Sequence, residues 1–358
     1  MATKRQVRNP ENNHKKRRNR LLFFLAFFSA VFLIVATYAW LSSTLNVKVK
    51  FFKMQVQRTS GLTISLDAIN FDEVVYVSVD TIINDLKSVY PNHNNQWSIM
   101  GLWPVSSNGI KNSSTNQFDF YMGWLARTRI YNPNGSVKRL LHTMPLIEDG
   151  PSAVNMYIGF DVFFRNQTGS PKPDNLYFDK GTGIFYEDGI EPEITEKMDG
   201  LLHSVRIGLV YIGSVSMQAT PREIQNISCS NNCKAWIFEP YKNRHSAGSI
   251  KTAENYGITL VDGVAIPTYA VIRDGEYLEH TSGHVGTGLP LDTAHFALQR
   301  TITESDFDVP LFQVPHGYTK ARIYVWIEGQ DIDSLETLSE GAAIEIAINF
   351  IKDLAGYE

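Results

Sequence analysis

The chain has 358 residues, 43% of them hydrophobic and 20% charged, and a formal net charge of −4 at pH 7. That charge is unevenly placed: residues 1–20 hold eight Lys/Arg and one Glu, so residues 21–358 carry 25 basic against 36 acidic side chains, a net charge of −11. An acidic bulk of this kind excludes a general attraction to nucleic acid or anionic lipid, and the length suffices for one large all-β domain.

The first element is a basic stretch, Lys4, Arg5, Arg8, Lys15, Lys16, Arg17, Arg18 and Arg20, running into the uncharged apolar block Leu21–Leu41. At about 1.5 Å per residue such a helix spans about 32 Å, against a hydrocarbon core of about 30 Å. The positive-inside rule keeps residues 1–20 in the cytoplasm and places residues 42–358 outside the cell. The block reads either as an uncleaved transmembrane anchor or as the core of a signal peptide. For cleavage, Thr37-Tyr38-Ala39 ahead of Trp40 offers small residues three and one before a cut between Ala39 and Trp40. The expected location is the cell membrane with an extracellular C-terminal domain, or the cell surface after cleavage.

Past the block a period of two takes over. Residues 46–57 read as a strand with Val47, Val49 and Phe51 set against Lys48, Lys50 and Phe52. Further strands are predicted at Leu62–Leu66, Val74–Val79, Phe118–Trp124, Tyr157–Phe164, Val205–Ile212, Ala235–Phe238 and Val309–Val314. Lys320–Ile327 places Ala321, Ile323, Val325 and Ile327 on one face and Lys320, Arg322, Tyr324 and Trp326 on the other. The last strand alternates Ile344, Ile346, Ile348 and Phe350 with Ala343, Glu345, Ala347 and Asn349, one face toward a core and one wet. Turn signals such as Asn132-Pro133-Asn134-Gly135 and Asp274-Gly275 separate the runs. A short helix fits Asp333–Ser339, and the aperiodic stretches near 91–117 and 277–298 read as long loops. The pattern predicts an all-β fold: an antiparallel two-sheet sandwich, jelly-roll-like, over residues 42–358, preceded by one N-terminal transmembrane or signal helix.

Candidate chemistry is sparse. Cys229 and Cys233 lie in one short loop. A disulfide there suits an exported domain, with about 2 kcal/mol from closing so small a ring; free thiols and a metal pair are the alternatives. A His-Glu-x-x-His zinc motif is missing, and His280-Thr281-Ser282-Gly283-His284 lacks the Glu. A Gly-x-Ser-x-Gly elbow is also missing, so no enzyme is predicted. Glu328, Asp331 and Asp333 cluster at a strand end, where calcium is the cation to consider, although it takes six to eight oxygens; a solvated turn or pairing with Arg or Lys competes. No other cofactor is indicated. Trp97, Trp103, Trp124, Trp236 and Trp326 are candidates for sugar stacking, with core packing as the alternative. Asn112, Asn134, Asn166 and Asn226 match the glycosylation sequon, a pattern common by chance.

Several landmarks in order resemble one family. Ala36-Thr37-Tyr38-Ala39-Trp40 is similar to the export signal of TasA/camelysin-like surface proteins of Gram-positive bacteria. Gly61-Leu62-Thr63-Ile64-Ser65-Leu66-Asp67 resembles their first sandwich motif. Tyr157–Asn166 followed by Leu176-Tyr177-Phe178 resembles their central strand pair, and Ala235–Pro240 and Tyr324–Asp333 complete the set. The resemblance implies a jelly-roll sandwich, export through a dedicated signal peptidase and, in characterised members, assembly into extracellular fibres; this chain is longer than the small fibre subunits. Partners follow from these readings: the membrane through residues 21–41 unless cleaved, self-assembly, and no nucleic acid. The strand at 46–57 either pairs within its own sandwich or completes a neighbour's sheet edge, which would join subunits head to tail. The alternative function is a membrane-anchored β-sandwich that binds carbohydrate or peptide through its loops.

Overall fold

The computed structural model describes residues 48–56, 61–78, 80–82, 90, 102–111, 118–125, 130–131, 137–138, 140–146, 155–169, 171–186, 202–229, 233–240, 301–302, 304–329, 331–335 and 343–353, with short pieces between 247 and 290. The apolar block 21–41, the cut between Ala39 and Trp40, and Val47 lie outside the described residues. Among those described, no helix is long and apolar enough to cross a membrane. The chain divides into two compact units, Met1–Leu45 and Asn46–Glu358, and the second unit holds all the described strands.

In chain order the described strands are β1 (Lys48–Val56), β2 (Leu62–Ser65), β3 (Val74–Ser78), β4 (Ser106–Lys111), β5 (Phe118–Leu125), β6 (Ile130–Tyr131) and β7 (Val137–Lys138). Then come β8 (Leu140–Leu146), β9 (Tyr157–Asn166), β10 (Asp174–Phe178), β11 (Gly183–Tyr186) and β12 (Val205–Val215). A one-turn helix α1 (Pro221–Gln225) precedes β13 (Ala235–Phe238), β14 (Ile258–Thr259), β15 (Val271–Ile272), β16 (Glu279–Ser282) and β17 (Leu289–Pro290). The last strands are β18 (Thr301–Ile302), β19 (Phe312–Val314), β20 (Gly317–Ile327) and β21 (Ala343–Asp353).

Two six-stranded sheets form the sandwich. The first runs β19-β10-β21-β1-β3, with β11 also paired to β21, and the second runs β18-β13-β12-β20-β9-β2. The core between them is made by the period of two. Ile344, Ile346, Ile348 and Phe350 of β21 face Ile158, Phe160, Val162 and Phe164 of β9 together with Ala321, Ile323, Val325 and Ile327 of β20, all within one hydrophobic cluster. Phe164 meets Phe350 edge-on with ring centroids 5.1 Å apart. Burial of such side chains is worth about 1.5–3 kcal/mol each, the main force holding the layers together.

Two features correct the expected antiparallel two-sheet arrangement. First, β1 pairs with β21 in parallel, from Lys48↔Ala343 to Val56↔Phe350, while pairing antiparallel with β3. The strands come from opposite ends of the domain, so no tight hairpin dictates their relative direction. Second, a further five-stranded sheet, β17-β16-β8-β5-β4, stands beside the sandwich. Its strands β4, β16 and β17 fall inside the stretches near 91–117 and 277–298 that read as loops. β4 begins Ser106-Ser107-Asn108-Gly109, β16 is Glu279-His280-Thr281-Ser282 and β17 is only two residues long, so none carries an apolar alternation for the sequence pattern to announce.

The second sheet is consequently buried on both faces. Its outer side carries a second core of Tyr157, Phe163, Val210, Ile237, Tyr324 and Trp326, covered by Tyr90, Val105, Phe120 and Leu146. Phe120 stacks on Tyr157 with centroids 4.1 Å apart and meets Trp326 edge-on at 5.3 Å. Ile224 of α1 joins this cluster. That helix starts at a capping box in which Thr220 and Glu223 bond each other's backbone, with Pro221 at its first turn. Where a helix fits Asp333–Ser339, a 3-10 turn spans Ile332–Leu335, and residues 336–339 lie outside the described residues. Gly317 opens β20 at φ +141°, where a Cβ would stand 2.3 Å from the Val215 carbonyl oxygen; no other residue fits that approach.

Candidate functional site

The ionisable side chains on the outer face of the second sheet are paired among themselves. Near its middle, Asp161 of β9 accepts from Arg322 Nη1 at 2.8 Å and from the Tyr90 hydroxyl, with Lys320 Nζ at 3.2 Å. Arg322 Nε reaches the Tyr324 hydroxyl at 3.0 Å. Burial pushes that hydroxyl well above the ordinary tyrosine range, with Arg322 opposing, so it stays protonated. At one end of the sheet Arg206 is fully buried. Its Nη2 donates to Glu239 Oε1 at 2.9 Å and to Asp331 Oδ2, and its Nη1 donates to the carbonyl oxygens of His203 and Val205.

The acidic trio from the sequence lies at this same end, and each carboxylate has its own partners. Glu328 accepts from Trp326 Nε1 at 3.1 Å and faces the Ser107 amide at 3.5 Å. Asp331 holds Arg206 and, through Oδ1, accepts the Asp333 amide at 2.9 Å. Asp333 Oδ2 stands 3.6 Å from His203 Nδ1. Among the described residues no group of three or more His, Cys, Asp or Glu side chains is arranged to hold a metal ion. These carboxylates act as pins: the Arg206 pairing ties the ends of β12, β13 and β20 together, and the Glu328–Ser107 contact attaches β4.

Cys229 and Cys233 are joined by a disulfide that closes the loop between α1 and β13. Trp326 is fully buried and Trp236 nearly so, whereas Trp103 is 37% exposed. Trp97, the side chain of Trp124, and His284 lie outside the described residues, and His280 sits in β16 opposite Leu141 of β8. Of the assembly-strand residues, Val49 stands opposite Ile344, and Phe51 opposite Glu345 on one side and Ser78 on the other, within the chain's own sheet.

An open groove of about 410 Å³ lies where the two sheets part at the short edge strand β19. Its wall is aromatic and aliphatic (Tyr211, Phe312, Leu311, Pro310) and its rim carries Asn175, Gln313 and Lys234. Tyr211 and Phe312 stand 5.2 Å apart by ring centroid, with Trp236 behind at 5.8 Å from Phe312. β19 ends its sheet, so beside this aromatic wall it leaves a backbone edge outside the ladder. Sequence reading missed the groove because its residues come from four separate segments.

The motif Gly61–Asp67 builds a turn. Asp67 Oδ1 accepts the Ile69 and Asn70 amides at 2.8 Å each and the Ser65 hydroxyl at 2.8 Å, while Oδ2 accepts Asn70 Nδ2. Burial raises the Asp67 carboxyl, but the amide bonds and the Ser65 and Asn70 side chains outweigh it, so its pKa lies below the ordinary carboxylate value. A lowered folded-state pKa gives stability that is complete above the unfolded value, about 3.9, and lost as pH falls through the folded value. Asp67→Ala is expected to cost about 1–3 kcal/mol at pH 7, with the gap from wild type narrowing in urea titrations as the pH falls below the unfolded value of about 3.9.

Fold and site together define an all-β sandwich that, among the described residues, pairs its buried charges internally and opens a groove at a sheet edge. No protein-family model, curated protein or solved structure matches the chain.

Proposed function

We propose that this chain is an exported, non-enzymatic protein of the cell surface or extracellular matrix, a structural subunit or adhesin of the TasA/camelysin-like kind. The observation that carries the reading is the basic stretch and apolar block Leu21–Leu41 standing directly ahead of β1, a strand held between β21 and β3. The block delivers the domain across the membrane as an N-terminal helix, as anchor or as signal removed at Ala39. The sandwich is read as jelly-roll-like because sheet neighbours such as β9 and β20, or β1 and β21, come from distant parts of the chain. In the monomer β1 completes its own sheet; in an assembly the same strand is passed to a neighbour's β21 edge. Light scattering with negative-stain imaging of residues 40–358 tests this. Filaments growing with concentration support a fibre subunit, and a monomer at every concentration rejects assembly. Cell fractionation with N-terminal sequencing checks export and the cut at Ala39.

The groove beside β19 supports a second reading, a displayed ligand-binding module. An aromatic wall with amide and ammonium groups at its rim suits a sugar or an extended peptide. Saturable oligosaccharide or peptide binding in calorimetry, lost in Tyr211→Ala, would favour it over the structural subunit.

A further inference from the structure

Three polar side chains interrupt the core between the sheets, each at the end of an otherwise apolar row. Lys352 follows Ile344, Ile346, Ile348 and Phe350 on β21. Asn166 follows Ile158, Phe160, Val162 and Phe164 on β9. Asp174 opens the row of Leu176 and Phe178 on β10. All three residues are buried, and the Lys352 and Asp174 side chains have no exposed surface. They meet in a closed triangle: Lys352 Nζ lies 2.8 Å from Asn166 Oδ1 and 2.8 Å from Asp174 Oδ2, and Asn166 Nδ2 lies 3.0 Å from that same Oδ2.

The hydrogen bonds orient the amide one way. Nδ2 also donates to the Val314 carbonyl oxygen at 2.9 Å, while Oδ1 faces the Thr168 amide at 3.3 Å and the Thr168 hydroxyl at 2.9 Å. That hydroxyl stands equally close, 2.9 Å, to Asp174 Oδ2. A carbonyl bond is about 1.2 Å long, so Nζ sits within about 4 Å of the Asn166 carbonyl carbon, close to the distance of about 3–3.5 Å from which a bond forms. The arrangement places an amine, a carbonyl with donors on its oxygen, and a carboxylate touching both the nucleophile and the leaving nitrogen.

We propose that Lys352 and Asn166 join in an intramolecular isopeptide bond, with Asp174 carrying the protons, so that the last strand of one sheet is covalently tied to a central strand of the other. The step balances without any co-reactant. Asp174 takes a proton from the Lys352 ammonium, and the freed lone pair forms the Nζ–Cγ bond to Asn166. The Thr168 donors stabilise the charge that develops on Oδ1. The Cγ–Nδ2 bond then breaks with its electron pair left on nitrogen. Nδ2 takes the proton from Asp174 and departs as ammonia, and Asp174 receives the second proton shed by Nζ, later lost to water. The outcome is one secondary amide and one ammonia.

Asp174 starts in the ionised form that can accept a proton, and the 2.8 Å contact with Lys352 Nζ positions it to do so. Burial raises the Asp174 carboxyl, yet bonds from Lys352, Asn166 and Thr168 outweigh it and hold its pKa below the ordinary range, so it starts as the base. Exclusion of water keeps competing hydrolysis of the Asn166 amide away from the reacting carbon. The glycosylation sequon at Asn166 is silent in the folded state, since its amide nitrogen is buried and engaged. This inference is independent of the surface-protein reading, because it concerns chemistry inside a single chain.

Mass spectrometry of the purified full chain, with the disulfide reduced, decides the matter. The chain is expected to be lighter than its sequence by one ammonia, about 17 Da, and a tryptic digest should yield one branched peptide containing both Asn166 and Lys352. The residues are 186 positions apart, so the closed ring should also run faster in denaturing gels. Lys352→Arg, which keeps the charge, and Asp174→Asn are expected to restore full mass and slow mobility. Two wild-type results overturn the proposal: full mass with separate peptides, or an ammonia loss confined to Asn166 as a cyclic imide. The wild-type measurement stands even if a variant fails to fold.

Discussion

Arg206→Ala is expected to lower the stability of the domain by about 3–5 kcal/mol, the cost of breaking a buried ion pair from one side. Arg206 has no exposed surface, and the carboxylates of Glu239 and Asp331 that it holds are each about 1% exposed. Without the guanidinium two anions remain in a site closed to water, and the carbonyl oxygens of His203 and Val205 lose a donor. Arg206→Lys should recover only part of the loss, since an ammonium lacks the planar fork that reaches two carboxylates and two carbonyls. Urea unfolding followed by tryptophan fluorescence is the measurement, because Trp326 lies next to this network through Glu328. A change below about 1 kcal/mol would mean the site admits water and the pairing is that of a surface salt bridge.

The second large effect concerns β1. Deleting residues 46–57 is expected to prevent the isolated domain from folding, because β1 is an interior strand with partners on both sides. It pairs with β21 along its length and with β3 from Phe51 to Gln55, and Met54 and Val56 are buried in the sandwich core. Removing it leaves one edge of β21 unpaired, the other still held by β10 and β11, and opens a cleft lined by Ile344, Ile346 and Ile348. A synthetic peptide of residues 46–57 added in trans is expected to restore a soluble, cooperatively melting domain. That rescue is the same contact the assembly reading requires between neighbours. If the shortened chain folds alone and no longer polymerises, β1 is dispensable within its own sheet and serves as the assembly strand; if it folds alone and still polymerises, β1 has no part in assembly. If the peptide fails to rescue it, exchange of this strand between copies is ruled out.

Much of the sandwich was legible from alternation. The rows of β9, β20 and β21 can be read directly, because a strand buried on one face repeats every second residue whatever its partners. Their faces were harder. Lys320, Arg322, Tyr324 and Trp326 look like the wet side of β20, but Tyr90, Phe120 and Leu146 cover that side. The hint lay in the residues themselves, since two large aromatics are unusual on a solvated face, whereas the pairing of Arg322 with Asp161 shows only in the fold. The parallel partner of β1 left no local trace, because pairing direction depends on how the rest of the chain returns. Likewise, Glu328, Asp331 and Asp333 stood out as a cluster, yet their partners Trp326, Ser107, Arg206 and His203 come from separate elements.

The sequence by itself determined the all-β class, most strand positions, and the break between a basic, then apolar, N-terminal stretch and an acidic remainder. Those are properties of short windows: a period of two, a run of 21 uncharged, mostly apolar residues, a local excess of one charge. Only the tertiary structure decided that the second sheet is covered on both faces, that the acidic residues are matched inside the protein, and that Lys352, Asn166 and Asp174 meet across the core. Each of these joins segments far apart in the chain. Their free energy arises when water is excluded from between them, which no single segment can do alone.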